Sequence, residues 1–531
     1  VNKKFFLSIL LLAFILRFYK LGEVPNSLNW DENSNAYNAY SILKTQKDEY
    51  GNRFPLFNKS FEDYKPPLYM YLTVPAVAIF GLTPFAARFA SAFFGFLTIP
   101  AVYFLAKWLF RGKTGKELIS LSVMFFLTIS PWHMMFSRVG LEATIGLFMV
   151  VVAITIFLYG LKRNYLIPIS AIFAGLSLYS YHAQRIFTPL IFIVIIFAFQ
   201  KELTKVKKKF LISFVIISVS FALPLFLFVP KEAIFQRLNV SSSSFIKENV
   251  ARSSQLVLQD HQSSLPFISQ LHNRRLVLLG SYIQNYLLNF DPNFLFIRGD
   301  GNLRHHLKNF GVLNIFFLPL ILLGMYFTFK DYPKVFKFLG IWLILGALPA
   351  SPVTPAPHAI RSFAGVVPLI TFAAVGITYF FQKKFILSEK STAIYKISLI
   401  TLCSFILFSI SHFLFDYFRH YPAYSAFEWQ YGYSDAAKYT QELSSKFQRI
   451  YVSENLKQAY IFWLFNLEYN PAKYQSSGSV NNFDKYHFSN FPQTSSDLFV
   501  DYASAFPQDF VLLKTIYYPN QEEAIKIGFR K

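Results

Sequence analysis

Long apolar runs separated by short basic clusters dominate the chain up to residue 416. Stretches such as FFLSILLLAFILRF (5–18), IGLFMVVVAITIFLYGL (145–161) and FLISFVIISVSFALPLFLFV (210–229) carry almost no charge and approach the ~20 residues a helix needs to cross a bilayer. The pattern predicts eleven spanning helices, near 5–19, 86–106, 118–132, 142–160, 165–180, 187–200, 210–229, 311–329, 338–350, 363–381 and 397–416. A further apolar stretch, LYMYLTVPAVAIF at 68–80, has thirteen residues and falls short of a typical span. It is expected at the membrane surface or re-entering it.

The basic clusters orient these helices. With Lys3 and Lys4 in the cytoplasm, the inner connections hold Lys107, Arg111, Lys113 and Lys116, then Lys162 and Arg163, then Lys201, Lys205, Lys207, Lys208 and Lys209. Further on come Lys330, Lys334 and Lys337, and Lys383, Lys384, Lys390 and Lys396, against Glu117, Glu202, Asp331 and Glu389 alone. Positive cytoplasmic loops are the rule for membrane helices. The expectation is a multi-pass protein of the plasma (inner) membrane with a cytoplasmic amino terminus. No small-residue cleavage pattern follows the first helix, which is therefore expected to stay as a signal anchor.

The outer connections are long. Residues 20–85 form a first outer loop with juxtamembrane helices, 231–310 a large outer loop, and 417–531 an extracytoplasmic tail. In the tail the long apolar runs disappear. SDAAKYTQELSSKF reads as an amphipathic helix, RIYVSE as a strand, LKQAYIFWLF as a helix and DFVLLKT as a strand, which predicts a small α/β domain.

Composition adds exclusions. The net charge of +22 among 531 residues sits in the short clusters rather than on one face or tail, so no nucleic-acid partner is expected. Cys403 is the sole cysteine, which excludes an intrachain disulfide and a cysteine-based metal site.

With this orientation the unusual polar residues gather on the outer side. They are Asp31 and Glu32; Lys65 in FEDYKPPLYMY; Arg88; His133, Arg138 and Glu142 in PWHMMFSRVGLEA; His182 and Arg185 in YSYHAQRIFTPL; His358 and Arg361 in TPAPHAIRS; and Asp300, Arg304, His305 and His306 in RGDGNLRHH. Any one such arginine alone reads as an interface anchor. Ionisable groups in or near spanning helices face cavities or have partners, and so many outer segments supplying them together point to one shared site. Carboxylates beside Arg and Lys suit a reaction that needs a base and an anionic leaving group, with fixed cations stabilising a departing phosphate.

WDEN after the first helix, followed by YKPPLYMYL and FGLTPFAARFASAFFGFLTIPAVYFLAKWLF, resembles the dolichyl-phosphate-mannose protein mannosyltransferase family. That family belongs to the GT-C glycosyltransferases, with the bacterial aminoarabinose transferases, and the similarity is most specific over residues 28–111. SRVGLEA and PHAIRSFAGVVPL also look like family patterns. The resemblance implies a GT-C bundle of about eleven helices (range 10–13) and an inverting transfer from a polyprenyl-phosphate sugar to a protein, lipid or polysaccharide acceptor. Carried over, Asp31 is the principal catalytic carboxylate, Glu32 supports it, and Glu142 matches a second acidic position where relatives often have Asp. Lys65 binds the donor phosphate, with Arg138, Arg185, Arg88 and Arg361 as further phosphate or structural partners. His182, His358, Asp300, Arg304 and His305 are candidate substrate contacts. No cofactor is required by this reading. The aminoarabinose branch holds a metal between an acid beside the KP lysine and a loop histidine; here Tyr64 separates Glu62 and Asp63 from Lys65, and a divalent metal stays open.

Two other readings remain. An oligosaccharyltransferase or O-antigen ligase would move a whole glycan, and EWQYGYSDA (428–436) superficially resembles a tryptophan-rich signature of the former, without its aspartates. A transporter would need mid-membrane charges and an internal repeat, and no repeat is visible.

Overall fold

Apolar periodicity becomes helix at each of the eleven predicted positions. The computed structural model describes residues 3–61, 63–112, 115–228, 230–263, 266–382, 389–478, 482–489 and 496–530; Glu62, Lys113, Lys383 and Lys384 lie outside them. Helix α1 (Lys3–Phe18) leads into a first loop holding α2 (Trp30–Thr45), a hairpin of β1 (Asn58–Ser60) and β2 (Asp63–Lys65), and α3 (Leu68–Phe80). Then come α4 (Pro84–Leu109), α5 (Lys116–Ile129), α6 (Pro131–Ser137), α7 (Glu142–Gly160), α8 (Leu166–Leu178), α9 (Gln184–Ala198), the single turn α10 (Gln200–Leu203) and α11 (Lys208–Leu227). The segment 231–310, expected as a large loop, is mostly helical, with α12 (Lys231–Gln262) and α13 (Arg274–Leu288). The bundle ends with α14 (Phe317–Asp331), α15 (Pro333–Ala347), α16 (Val366–Gln382) and α17 (Glu389–Phe415).

Among the described residues six helical stretches, Pro84–Leu109, Glu142–Gly160, Lys208–Leu227, Pro333–Ala350, Phe363–Phe381 and Lys396–Tyr424, are long and apolar enough to cross a membrane, and the α5–α6 pair, bent by 58°, makes a seventh if it is taken as one span. The other four predicted spans, α1, α8, α9 and α14, hold 16, 13, 15 and 15 residues because turns at their ends take up part of each apolar run. The bundle's rim is apolar, with Ile216, Phe226, Leu407 and Phe408 all more than half exposed, as a lipid-facing surface requires. Inside, α14 and α16 touch backbone to backbone: a Cβ at Gly324 would collide with the carbonyl of Phe372. Small residues permit that approach between membrane helices.

The two ends of the bundle differ. At one end short turns carry half-buried ion pairs, Lys107 with Glu117 at 3.2 Å and Arg111 with Glu202 at 3.8 Å. At the other, the first loop, the 298–316 segment and the 348–362 connection meet, joined by Ala359 N donating to Asp300 Oδ2 and by Arg304 lying over the Trp30 ring. Helix α3 starts and finishes at this second end, since Tyr69 Oη near its start donates to Ala87 O near the start of α4, at 2.8 Å.

Beyond α17, the helices α18 (Tyr421–Tyr424), α19 (Tyr433–Glu442), α20 (Ala459–Asn466) and α21 (Pro471–Ser476) accompany a sheet of β3 (Arg449–Val452), β4 (Asn482–Phe483), β5 (Tyr486–Phe488), β6 (Asp497–Tyr502), β7 (Phe510–Tyr517) and β8 (Glu523–Arg530). The order is β4-β5-β3-β6-β8-β7, with β3 parallel to β5 and β6 and the other pairs antiparallel. The four elements expected in the tail appear as α19, β3, α20 and β7. The domain packs on the first loop: Ala36 and Tyr37 of α2 share a core with Phe462 and Trp463 of α20, and Tyr37 Oη donates to Tyr469 O at 3.0 Å.

Candidate active site

Helix α2 begins with a capping box. Asn29 Oδ1 accepts from Glu32 N, and Asn29 N donates to Glu32 Oε2, both at 3.0 Å. This places Asp31 and Glu32 in the first turn, where the positive end of the helix dipole favours carboxylates. The two then diverge. Glu32 is fully buried and receives Arg88 Nε at 2.9 Å and Gly140 N at 2.8 Å. The Asp31 side chain keeps 29% of its surface exposed and takes the ammonium of Lys65.

Arg88 and Arg138, expected among the phosphate or structural partners, are both engaged by backbone carbonyls. Arg88 also donates to Leu21 O, Pro25 O and Ser27 O, at 3.1, 2.8 and 2.6 Å. Arg138 donates to Leu16 O, Arg17 O, Lys20 O and Val24 O and, through Nε, to Tyr417 Oη at 3.1 Å. Both are buried and pin the end of α1 and the chain that follows it; an arginine fork suits this because its five N–H groups can saturate several carbonyls at once. The same logic applies to Arg17, which the sequence reading passed over: it donates to Thr128 O and Leu127 O and meets His133 Nδ1 at 2.9 Å.

Lys65 closes the β1–β2 hairpin, opposite Asn58. Burial alone would lower its pKa, but the charges of Asp31 and Glu142 raise it, so the ammonium stays charged. Burial likewise works to raise Asp31, and the Lys65 charge and hydrogen bond, with Arg304 beyond, outweigh it and hold the carboxyl below its usual range. Glu142 opens α7 and accepts from Asn35 Nδ2 at 3.1 Å. Asn35, one turn after Asp31 on the same face of α2, was not singled out from sequence, although its i,i+4 spacing from Asp31 was the available signal. Arg304 lies 5.5 Å over the ring of Trp30, next to Asp31.

Arg185 and His182 flank this group on the hairpin side. Arg185 sits 6.0 Å over the Phe57 ring and meets His182 Nδ1 at 3.3 Å, and Leu68 N, just after the KPP motif, donates to Tyr179 O. An apolar groove of about 420 Å³ is lined by Pro67, Leu68, Tyr71, Tyr179, Phe221 and Pro224.

On the opposite side, Asp300 accepts from His305 Nδ1 at 2.6 Å and from Ala359 N at 2.8 Å. Burial works to raise the Asp300 pKa, and His305 and these hydrogen bonds bring it well below the usual range. Burial, His305 and Arg361 push His358 down to about 3. Asp300, His305 and His358 offer ligand atoms that all lie within 4.8 Å of one another. Asp63, the described acid nearest Lys65 in sequence, is not part of a metal-competent group among the described residues. The structure thus brings Asp31, Lys65, Glu142 and Arg304 together, and sets Asp300, His305, His358 and Arg361 beside them.

No protein-family model and no curated protein sequence matches the chain. Among solved structures it is similar to ArnT from Cupriavidus metallidurans in the apo state, over 99% of this chain and 98% of that one, at 12% identity and a TM-score of 0.54. ArnT bound to undecaprenyl phosphate gives 12% and 0.53 with the same coverage. The Archaeoglobus fulgidus oligosaccharyltransferase in its apo form matches 87% of this chain and 63% of its own, at 14% identity and a TM-score of 0.52. Identities this low carry the fold alone. The chain has the GT-C type of fold: an α-helical polytopic membrane bundle with a small α/β domain after it.

Proposed function

We propose that the chain is a membrane glycosyltransferase that moves a single sugar from a polyprenyl-phosphate carrier to an acceptor on the outer side of the membrane, with inversion at the anomeric carbon. The observation that carries this is the pairing of a partly open carboxylate, Asp31, with the KPP lysine, Lys65, two residues before Pro67, which lines an apolar groove. The donor phosphate would sit on the Lys65 ammonium, its isoprenoid tail in the groove lined by Pro67. Arg185, which donates to Leu178 O at 3.1 Å, and His182 lie close in sequence to Tyr179 of the same groove.

In the reaction the acceptor oxygen attacks C1 of the sugar, the C1–O bond to phosphate breaks, and the phosphate leaves with that electron pair. The acceptor proton passes to Asp31. A paired Asp31 is a weak base; once the phosphate claims Lys65, the carboxylate loses the partner that depressed it and becomes more basic. Donor binding and base activation are thereby coupled. Glu142, held by Asn35, would orient the acceptor or a sugar hydroxyl. The chemistry balances without a cofactor. Transfer of a whole glycan, the alternative, gains support from the oligosaccharyltransferase likeness but from no residue of this site.

The test is purified full chain with a panel of polyprenyl-phosphate sugars, wild type against Asp31→Asn. Turnover of one donor, reduced by about 10²–10⁴-fold in the variant while donor binding persists, is expected. Undiminished turnover in Asp31→Asn would sink the reading. Orientation is tested by placing a cysteine in the C-terminal domain of a Cys403→Ser chain: an impermeant maleimide should label it in intact cells.

A further inference from the structure

The cluster at Asp300, His305 and His358 is built in a way its hydrogen bonds leave incomplete. His358 Nδ1 is shut off from solvent and has no hydrogen-bond partner among the described residues. An imidazole nitrogen buried without a partner forfeits its hydration with nothing in return. It belongs to a group whose other members, a carboxylate oxygen and an imidazole nitrogen, face each other at 2.6 Å. All three can supply a ligand atom within 4.8 Å of the rest.

The surroundings hold these ligands in place. Asp300 is fixed through its carboxylate by Ala359 N and through its carbonyl by His306 Nε2 at 2.7 Å. His306 Nδ1 is within 2.8 Å of Leu307 O, which locks its ring. Gly299 has φ +71°, and a Cβ there would run into the His306 ring, so this loop conformation needs glycine. His358 N donates to Asn289 Oδ1 at 3.3 Å. Such outer hydrogen bonds orient metal ligands in known sites.

We infer that Asp300, His305 and His358 bind one divalent transition-metal ion of the zinc class, which cross-links the 298–306 segment to the 354–362 connection. Two imidazoles and one carboxylate are the donor set of such ions, whereas magnesium and calcium prefer oxygen alone. Zinc–nitrogen and zinc–oxygen bonds of about 2.0–2.2 Å require movements on the order of 1 Å, with the Asp300–His305 pair opening to admit the ion and the more distant ligand atoms drawing in. The proton shared by Asp300 and His305 leaves as the ion enters. Three protein ligands keep a fourth position for water. The site lies on the Arg304 side of Asp31 and shares no residue with the acid next to the KPP motif. Its occupancy would fix the loop that carries Arg304 over Trp30.

The test is metal content and metal titration of the purified full chain, with no activity measurement. Wild type prepared without chelator should hold about one zinc per chain. After chelation it should take up cobalt(II) with d–d absorption of a nitrogen–oxygen site and no thiolate band, and lose thermal stability until metal is restored. His358→Gln and His305→Gln should weaken binding by more than about 100-fold, since loss of outer-shell partners alone costs 10–100-fold. Wild type that binds neither zinc nor cobalt at micromolar concentration overturns the inference, and so does undiminished affinity in both variants. The wild-type spectrum decides the matter even where a variant fails to fold.

Discussion

Asn35 Nδ2 donates to Glu142 Oε1 at 3.1 Å, one helical turn along α2 from Asp31. The bond joins two carboxylates more than a hundred residues apart in sequence into one constellation, with the Lys65 ammonium acting on both. The helix that makes it possible is polar and yet buried: Glu32, Asn33, Ser34, Asn35 and Asn38 are all shielded by the bundle and the C-terminal domain.

Asn35→Ala should leave donor affinity within about threefold and lower kcat by roughly tenfold, because it frees Glu142 without touching the phosphate; an interaction made mainly in the transition state lowers kcat rather than raising KM. Steady-state kinetics on the identified donor would check this, and Asn35→Gln should restore part of the loss. A purely structural role would show as a lower Tm with unchanged kcat.

Lys65→Met should weaken donor binding by about 10–100-fold, the equivalent of a lost charged hydrogen bond of ~1.5–3 kcal/mol. It should also move the acidic limb of the pH–rate profile upward. Lys65 depresses Asp31 in the wild type, so its removal raises the Asp31 pKa and the base is protonated at a higher pH. An acidic limb that moves downward would contradict the pairing.

Arg88 and Arg138 separate structure from binding. Arg88→Met leaves Glu32 buried without its partner, and breaking a buried pair costs about 3–5 kcal/mol. The expected readout is a large fall in thermal stability in detergent. Arg138→Gln, which strips donors from four carbonyls, should also destabilise. Any Arg138 variant that folds should bind the donor with wild-type affinity.

Glu49 supplies a pH-dependent term in stability. Its carboxylate accepts from Asn38 Nδ2 and its N–H donates to Asn38 Oδ1, both at 2.9 Å, and burial, opposed by that bond and reinforced by Asp48, pushes its pKa up to about 8. The folded chain keeps a proton that the unfolded chain releases near pH 4.3, so stability falls between those values as pH rises, by at most ~1.4 kcal/mol per unit. Glu49→Gln should therefore gain stability over wild type progressively from pH 5 to 8. Melting curves across that range would check it, and a difference that does not vary with pH would remove Glu49 as the source.

Much of the architecture was legible because lipid and water impose it locally. A run of apolar residues has one stable state in a bilayer, and all eleven predicted positions are helical; the tail's four expected elements follow from the same local periodicities. The candidate site was legible as residue types, Asp31, Lys65 and Glu142 above all, since charged groups among apolar runs stand out. Their division of labour was not. Neighbouring carboxylates Asp31 and Glu32 have the same chemistry in the sequence, and only packing sends one to Lys65 and the other to Arg88. Arg88, Arg138 and Arg304 read alike as cations; the tertiary structure spends the first two on backbone carbonyls and leaves the third over Trp30. The 231–310 segment, polar enough to read as a loop, is helical because α12 and α13 pack on each other, and the convergence of Asp300 with His358 depends on a hydrogen bond between segments almost sixty residues apart. Local patterning fixes which segments are helix, whereas which charge meets which partner is a matter of long-range contacts that no window of sequence contains.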